Sequence, residues 1–397
     1  MTLQTLRLKN RADRRLKAGH LWIYSNEVDT QTSPLRNFET GELISIESAE
    51  GKVLGTGYIN PNSLICARLV SRDSKYVLDR SLLVHRIQVA LSLRERVFDK
   101  PFYRLVFGDS DGLPGLVVDR FGDHVVAQMS TAGMEAVRDD IVDALVKVLK
   151  PSGILLKNDG TGRQLEKLPE YVEVAYGEMP EKVELEENGV MFRAPVMKGQ
   201  KTGWFFDHRL NRGRLRHYVN AKKVLDVFSY VGGWGVQCAA FGASQVTCVD
   251  ASEQALDLVH ENAGLNGLAD RVESIHGDAF TTLRTLRDEG EKFDVVIVDP
   301  PAFIKKRKDT KAGEQAYRRI NELAMRLLEK DGILVSCSCS MHLQKDSLFD
   351  ALRAGSRHID RNLQIIEQGH QGPDHPVLPA IPETEYIKAI IARVTRV

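Results

Sequence analysis

The stretch VLDVFSYVGGWGVQCAAFGASQVTCVD, residues 224–250, decides the fold. It opens with a short apolar run ending in a carboxylate, Asp226, bends through Gly232, Gly233 and Gly235, and resumes a second β-branched run closed by Asp250. That order predicts strand, glycine turn, helix, strand. In such a βαβ unit the glycine backbone lies under a bound nucleotide-type cofactor, and an acidic residue at the tip of the second strand reaches ribose hydroxyls. A glycine cluster alone also suits a bland packed turn. The carboxylate closing the second strand comes at about the spacing the ligand-binding fold requires.

Dinucleotide-binding chains place Gly-x-Gly-x-x-Gly directly after the first strand, to cradle a pyrophosphate. Here Val227, Phe228, Ser229, Tyr230 and Val231 intervene between Asp226 and Gly232, a longer loop that suits a ligand without phosphates. This spacing resembles the S-adenosylmethionine loop of class I methyltransferases, in the variant reading Phe-Ser-Tyr-x-Gly-Gly. The resemblance implies cofactor contacts from Phe228, Ser229, Tyr230, Gly232, Gly233 and Ser252, with Asp226 near the methionine end and Asp250 on the ribose.

Composition sets outer limits. At 397 residues the chain predicts two or three domains, each able to bury a core. Lys plus Arg and Asp plus Glu are both 54, so no global charge draws it to nucleic acid and local charge must carry any such contact. Five cysteines, Cys66, Cys238, Cys248, Cys337 and Cys339, are an odd number with no CxxC pair. That argues against a disulfide framework or a zinc site, so no metal is expected and a reducing cytoplasm fits. An N-terminus charged almost at once, and no unbroken apolar run of about 18 residues, predict neither signal peptide nor membrane span.

In residues 1–20, Arg7, Lys9, Arg11, Arg14, Arg15 and Lys17 face one acid, Asp13, with Trp22 and Tyr24 close behind. Basic residues interleaved with aromatics suit phosphate contact plus base stacking, with Arg7, Arg14 and Arg15 as candidates, while a solvated helix face over a core tryptophan fits equally. Short alternating runs over residues 41–70, such as GELISIES and GKVLGTGYIN, predict a small β-barrel. Together these resemble a PUA domain, an RNA-binding module, over 1–74. A connecting helix is predicted over 82–97 from Leu83, Ile87, Leu91 and Val97, then hairpins at Asp111-Gly112, Pro114-Gly115 and Phe121-Gly122-Asp123, a helix over 134–149, and strands at 153–157 and 171–175. This is a central α+β domain, 75–192. Its aspartates 109, 111, 119 and 123 read as turn caps rather than a cation site, and the glutamate-rich stretch 166–187 as an acidic face that repels RNA.

The third domain, 193–397, begins with KGQKTGWFFDHRLNR, residues 198–212. It resembles the Lys-Thr-Gly-x-x-x-Asp-x-Arg motif found upstream of the cofactor loop in a subset of RNA methyltransferases, which implies that Asp207 and Arg209 help close over the cofactor. His208 is left as a packing or hydrogen-bonding residue. After the βαβ unit, Ser252 caps a helix ended by Asn266-Gly267, and strands follow at 272–275 and 293–298. Asp278, past the third strand, matches the acid that holds the adenine amine in class I methyltransferases. The fourth strand runs into Asp299-Pro300-Pro301-Ala302-Phe303, where Asp299 and Phe303 can flank a flat base. Asp299 is read as serving both substrate and cofactor. Lys305, Lys306 and Arg307 form a basic loop at the mouth of this site, suited to phosphates. A helix through Tyr317, Ile320, Leu323 and Leu327 is ended by the Asp331-Gly332 turn, and a strand at 333–336 runs out into Cys337-Ser338-Cys339-Ser340.

Alternation puts both cysteines on one side, with Cys339 nearer the carboxyl edge where ligands collect, so Cys337 reads as a small buried hydrophobe and Cys339 as a nucleophile. Pyrimidine carbon 5 needs this help, because thiolate addition at carbon 6 makes an enamine able to accept a methyl group. Cytosine, which donates from its amine, is the natural partner for Asp299.

All motifs together resemble the ribosomal RNA large subunit methyltransferase I family, over essentially the whole chain. The resemblance implies a class I S-adenosylmethionine-dependent methyltransferase domain of α/β class, a mostly parallel sheet with an antiparallel C-terminal edge strand. It further implies 5-methylcytosine formation in 23S ribosomal RNA or a large-subunit particle, and a homodimer. Related RNA cytosine methyltransferases often carry a second cysteine where this chain has Ala302, so removal of the carbon 5 proton needs another base. Two alternatives stay open: methylation of a base nitrogen, since Asp-Pro-Pro-x-Phe also resembles the motif of amine methyltransferases, and a non-catalytic RNA-binding factor of ribosome assembly.

Overall fold

A computed structural model describes residues 3–396. The chain folds as two compact units. The first comprises residues 1–183, 194–206 and 373–384; the second comprises 184–193, 207–372 and 385–397.

In the first unit, strands β1 (Gln4–Arg7), β2 (Trp22–Ile23), β3 (Leu43–Glu47), β4 (Val53–Ile59) and β5 (Ala67–Ser71) form a sheet ordered β1-β3-β4-β5-β2, beside a short helix α1 (Arg14–Lys17). Alternation in β3 buries Ile44 and Ile46 against Leu6, Leu8 and Leu69. Helix α2 (Arg80–Val97) leads to β6 (Phe102–Phe107), β7 (Leu116–Phe121), β8 (His124–Met129), β9 (Gly153–Asn158) and β10 (Tyr171–Gly177), a second sheet in the order β10-β9-β8-β7-β6. The face of α2 differs from the one read from its spacing. Val97 is exposed, and Arg94 is fully buried instead, its guanidinium bidentate on Asp111 at 2.6 and 2.7 Å. A buried arginine is tolerated there because its charge is neutralised and its N–H groups are all directed at acceptors. The helix expected over 134–149 is broken at Val137 into α3 (Ala132–Ala136) and α4 (Arg138–Leu149). A short helix α5 (Gly162–Leu165) precedes β10.

Three of the four aspartates read as turn caps are partners of other elements. Asp109 accepts from the Trp22 indole at 2.8 Å, Asp111 holds Arg94, and Asp119 holds Arg104 and the Thr202 hydroxyl. The acidic face is also smaller than the sequence implies. Glu166 is buried on Asn60 and Arg68, and Glu187, in the second unit, is buried on Arg212.

The second unit contains β11 (Val183–Glu187) paired with β12 (Val190–Ala194), and the helix α6 (Arg209–Arg214). Its main sheet comprises β13 (Lys223–Val227), β14 (Gln245–Asp250), β15 (Val272–His276), β16 (Phe293–Val298), β17 (Leu328–Ser338), β18 (Arg361–Gly369) and β19 (Lys388–Arg396), ordered β15-β14-β13-β16-β17-β19-β18. The first five strands are parallel and β19 is antiparallel to both its neighbours. Helices α7 (Gly235–Ala240), α8 (Glu253–Leu265), α9 (Ala279–Asp288), α10 (Thr310–Leu327) and α11 (Lys345–His358) complete it. Parallel strands covered on both faces need near-continuous apolar runs, and β13 and β16 supply them with Val224, Leu225, Val227 and residues 295–298 all buried. Each such side chain contributes roughly 1.5–3 kcal/mol by leaving water.

Two details correct the sequence reading. Helix α10 passes directly into β17 at Leu328, so Asp331-Gly332 lies within the strand, opposite Thr395 and Val394. The C-terminal strand runs antiparallel as expected but lies one place in, and β18 is the edge. Residues 389–392 of β19 are buried, as an inner strand requires, whereas β18 reads RNLQIIEQG and is largely exposed.

Candidate active site

The switch point of the parallel sheet lies between β13 and β16, and the strand ends there carry the candidate residues. After Val227 the chain leaves β13 through Phe228 and Tyr230, both at positive φ (67° and 49°), and Gly232 at 84°. Such non-glycine conformations cost of order 1–3 kcal/mol each and persist only where the surroundings impose them. Here Phe228 and Ser229 both donate backbone N–H to the Val249 carbonyl, Asp250 accepts from Tyr230 N at 2.9 Å, and the buried Asn262 donates to the Val231 carbonyl. The glycines answer to space. A Cβ on Gly232 would meet Val236 at 2.8 Å, and one on Gly235 would meet the Cys248 sulfur at 2.5 Å and Asp226 at 3.1 Å.

Asp226 is fully buried; Oδ2 accepts from Gly235 N at 2.8 Å while Oδ1 has no hydrogen-bond partner. Burial pushes its pKa up to about 7, with the carboxylates of Asp299 and Asp250 adding to the rise. A buried acceptor without a hydrogen-bond partner beside the glycine turn fits a ligand that brings a cationic group or an N–H donor. Asp250 engages both oxygens, Tyr230 N on one and Ser252 N on the other, which fixes the strand-tip acid in place. Ser252 caps α8 through Ala255 N, and Asp278 caps α9, accepting from Thr281 N and its hydroxyl.

At the end of β16, Asp299 Oδ2 accepts from the Trp234 indole at 3.0 Å, and Oδ1 lies 3.5 Å from His208 Nε2. Asn211 donates its amide N–H to His208 Nδ1 at 3.1 Å, which leaves the proton of a neutral ring on Nε2, facing Asp299. His208 Nε2 thus lies next to the carboxylate without a hydrogen bond to it, and the Trp234 indole is what fixes Asp299. Trp234 lies under Arg212, whose guanidinium is bidentate on the buried Glu187 at 2.6 and 3.0 Å, with Gln237 also donating to Glu187. Asp207 and Arg209 are both buried. Asp207 accepts from the Tyr386 hydroxyl at 2.7 Å and Arg209 lies 3.6 Å from Glu187, so both belong to the frame that supports the site.

Pro300 is buried and Pro301 exposed, and Phe303 sits among Tyr317, Phe280 and Phe228 with ring centroids 4.9, 6.2 and 6.5 Å away. Lys305, Lys306 and Arg307 are exposed. Val298 of β16 stands opposite Ser336 of β17, so Asp299 and Cys337 leave adjacent strand ends together. His208, Asp299 and Cys337 bring their polar atoms within 4.8 Å of one another. Cys337 is fully buried, and burial first, then the Asp299 charge, raises its thiol well above the usual range, which makes it an inert thiol. Cys339 is half-buried just past the last residue of β17. Its flanking serines set its backbone. Ser338 donates to the Tyr317 hydroxyl and accepts from Ser340 N, and the Ser340 hydroxyl contacts the Tyr317 hydroxyl at 2.8 Å and accepts from Ile304 N. Small hydroxyl residues on either side of a cysteine were the visible signal for this network.

In the first unit the basic N-terminal residues are partly committed. Arg7 pairs with Glu47 and Arg15 with Glu27, both at 2.8 Å; the Arg15 guanidinium covers the Tyr24 ring; and Arg14 is exposed. With Trp22 held by Asp109, the aromatics expected to stack on bases are engaged within the protein.

Comparison with known proteins places these features. Residues 165–393 match the model of S-adenosylmethionine-dependent methyltransferases, and residues 6–72 match a PUA-like domain. The chain is 37% identical over 99% of its length, and 100% of the relative's, to the ribosomal RNA large subunit methyltransferase I of Aliivibrio fischeri. It is 34% identical to that of Shewanella denitrificans, covering 98% of this chain and 99% of the relative. The crystal structure of SMU.776 complexed with SAH shares the fold with a TM-score of 0.83 at 22% identity, covering 99% of this chain and all of that one. The M. jannaschii tRNA m1G37 methyltransferase does so at 0.51 and 19% identity, covering 77% of this chain and 78% of that one. By whole-length similarity, by its methyltransferase half and by its N-terminal module, the chain belongs to the ribosomal RNA large subunit methyltransferase I family, and S-adenosylmethionine is its cofactor.

Proposed function

We propose that this protein methylates carbon 5 of a cytosine in large-subunit ribosomal RNA, with Cys339 as the nucleophile that activates the base. The observation carrying this reading is a half-buried cysteine, fixed by two serine hydroxyls, at a strand end adjacent to the Asp299-Pro300-Pro301 turn. A methyltransferase acting on an exocyclic nitrogen has no use for such a thiol. The ribosomal RNA substrate is supported by the relatives' activity and by the exposed Lys305, Lys306 and Arg307, which suit phosphates.

In this reading the cofactor is held by the loop 228–233 with Asp226, Asp250 and Asp278, and when bound it supplies an electrophilic methyl group that is received at carbon 5. The chain's residues do the rest. Asp299, oriented by Trp234, accepts from the cytosine amine. The Cys339 thiolate adds to carbon 6, forming a C–S bond while the 5,6 π pair moves toward carbon 5. After a base removes the carbon 5 proton, the double bond re-forms and the pair of the C–S bond returns to sulfur. Replacing Cys339 with Ala should lower turnover at least about a thousandfold while S-adenosylmethionine affinity stays within about twofold. Activity retained by Cys339→Ala would move the reading to a base nitrogen. We keep the division at residues 74 and 192 as part of this proposal, with the N-terminal module contributing RNA affinity.

A further inference from the structure

Cys339 has a cationic neighbour that its own strand does not supply. Lys388 opens β19 directly opposite Ser338, the residue before Cys339. Its ammonium donates to the carbonyl of Ser340, the residue after Cys339, at 2.8 Å, and to the Tyr386 carbonyl at 3.1 Å. The lysine is therefore anchored to both residues that bracket the thiol. Both acceptors are neutral, and among the described residues Lys388 forms no salt bridge. A half-buried ammonium with only carbonyl partners is poorly compensated, and burial lowers its pKa from the ordinary lysine range. Negative charge at Cys339 is the first influence opposing that shift, and Glu385 the second.

Near the sulfur, the Arg212 guanidinium that acts on Cys337 is committed to Glu187, and the remaining described groups oppose ionisation. Cys337, two residues earlier, is a buried thiol next to Asp299, and the Asp299 carboxylate in turn faces His208. Tyr317, from α10, has a phenol raised above its usual range by burial and occupied by Ser338 and Ser340. Burial and nearby carboxylate both oppose a thiolate, whereas a lysine ammonium favours it.

We propose that Lys388 is a positioning residue whose ammonium holds Cys339 as a thiolate. This rests on the reading of Cys339 as nucleophile. On adduct formation the sulfur's charge passes to the pyrimidine, and on elimination the electron pair of the C–S bond returns to a sulfur beside a cation, so one charge assists both attack and departure. Lys388 transfers no proton in either step.

The test reads the thiol itself on the full-length protein, without RNA. Carbamidomethylation of Cys339 by iodoacetamide is followed against pH by peptide mass spectrometry, with the buried Cys66, Cys238, Cys248 and Cys337 as slow internal references. In Lys388→Met the midpoint should rise by about one pH unit, and alkylation at neutral pH should slow roughly tenfold. Lys388→Arg should stay near wild type. Lys388→Gln keeps a donor for the Ser340 carbonyl without the charge, and should shift as Met does. Unchanged S-adenosylmethionine binding certifies each variant as folded. A wild-type midpoint in folded Lys388→Met, or in Lys388→Gln, overturns the proposal. Turnover by Cys339→Ala tests the underlying reading separately.

Discussion

At the scale of single residues, Asp226 and Asp299 show how one sheet edge assigns two carboxylates to different work. Asp226 is sealed under the glycine turn with a pKa near 7, while Asp299 is half-exposed with the Trp234 indole on one oxygen and His208 3.5 Å from the other. The first has a measurable consequence. A carboxyl whose folded pKa lies above its unfolded value of about 3.9 favours the folded state fully below pH ~4, and that contribution is lost as pH rises through about 7. Without cofactor, thermal stability should therefore fall between about pH 4 and 7. Asp226→Asn should flatten this slope while weakening S-adenosylmethionine binding at least tenfold, as calorimetry at several pH values would show. Asp226 and Cys339 were legible in the sequence because each ends an apolar run. His208 and Lys388 were not, because a histidine in a loop and a lysine at a strand start look like solvated residues until the fold brings Asp299 and Cys339 beside them.

At the scale of elements, the glycine-turn βαβ unit could be read from its two apolar runs, since buried parallel strands leave continuous apolar runs, whereas the mostly parallel sheet came from the family resemblance. The edge was harder. β18 and β19 differ in burial, not in strand propensity, and only the register against β17 places β19 inside. The hydrogen-bonded frame was invisible for a similar reason, because Glu187, Arg212 and Trp234 are far apart in sequence and each has an ordinary surface reading. It predicts a strong coupling. Glu187→Gln leaves the buried Arg212 guanidinium without its counter-charge and should cost about 3–5 kcal/mol in chemical denaturation. Tyr317→Phe removes the hydroxyl linking Ser338 and Ser340, and should lower kcat about tenfold with little change in cofactor affinity.

At the scale of the whole molecule, a balanced net charge hides local specialisation. Exposed Lys305, Lys306 and Arg307 follow the Asp299-Pro300-Pro301 turn, while in the N-terminal module Arg7 and Arg15 are held in ion pairs and Arg14 is exposed. Replacing all three residues of the 305–307 loop with Ala should lower the salt dependence of RNA binding by up to about three in the slope of log K against log salt, and Arg14→Ala by about one at most. Among the described residues no helix is long and apolar enough to cross a membrane. Family membership accounts for the cofactor and for the transfer of a methyl group; the acceptor atom is what the account adds, through Cys339 and Asp299. The direct measurement is nucleoside analysis of unmodified large-subunit ribosomal RNA after incubation with the protein and methyl-labelled S-adenosylmethionine. A cytosine carbon 5 methyltransferase acting through Cys339 should put label in 5-methylcytosine, and Cys339→Ala should put none there. Label in a nitrogen-methylated base, or in no nucleoside, would contradict that reading.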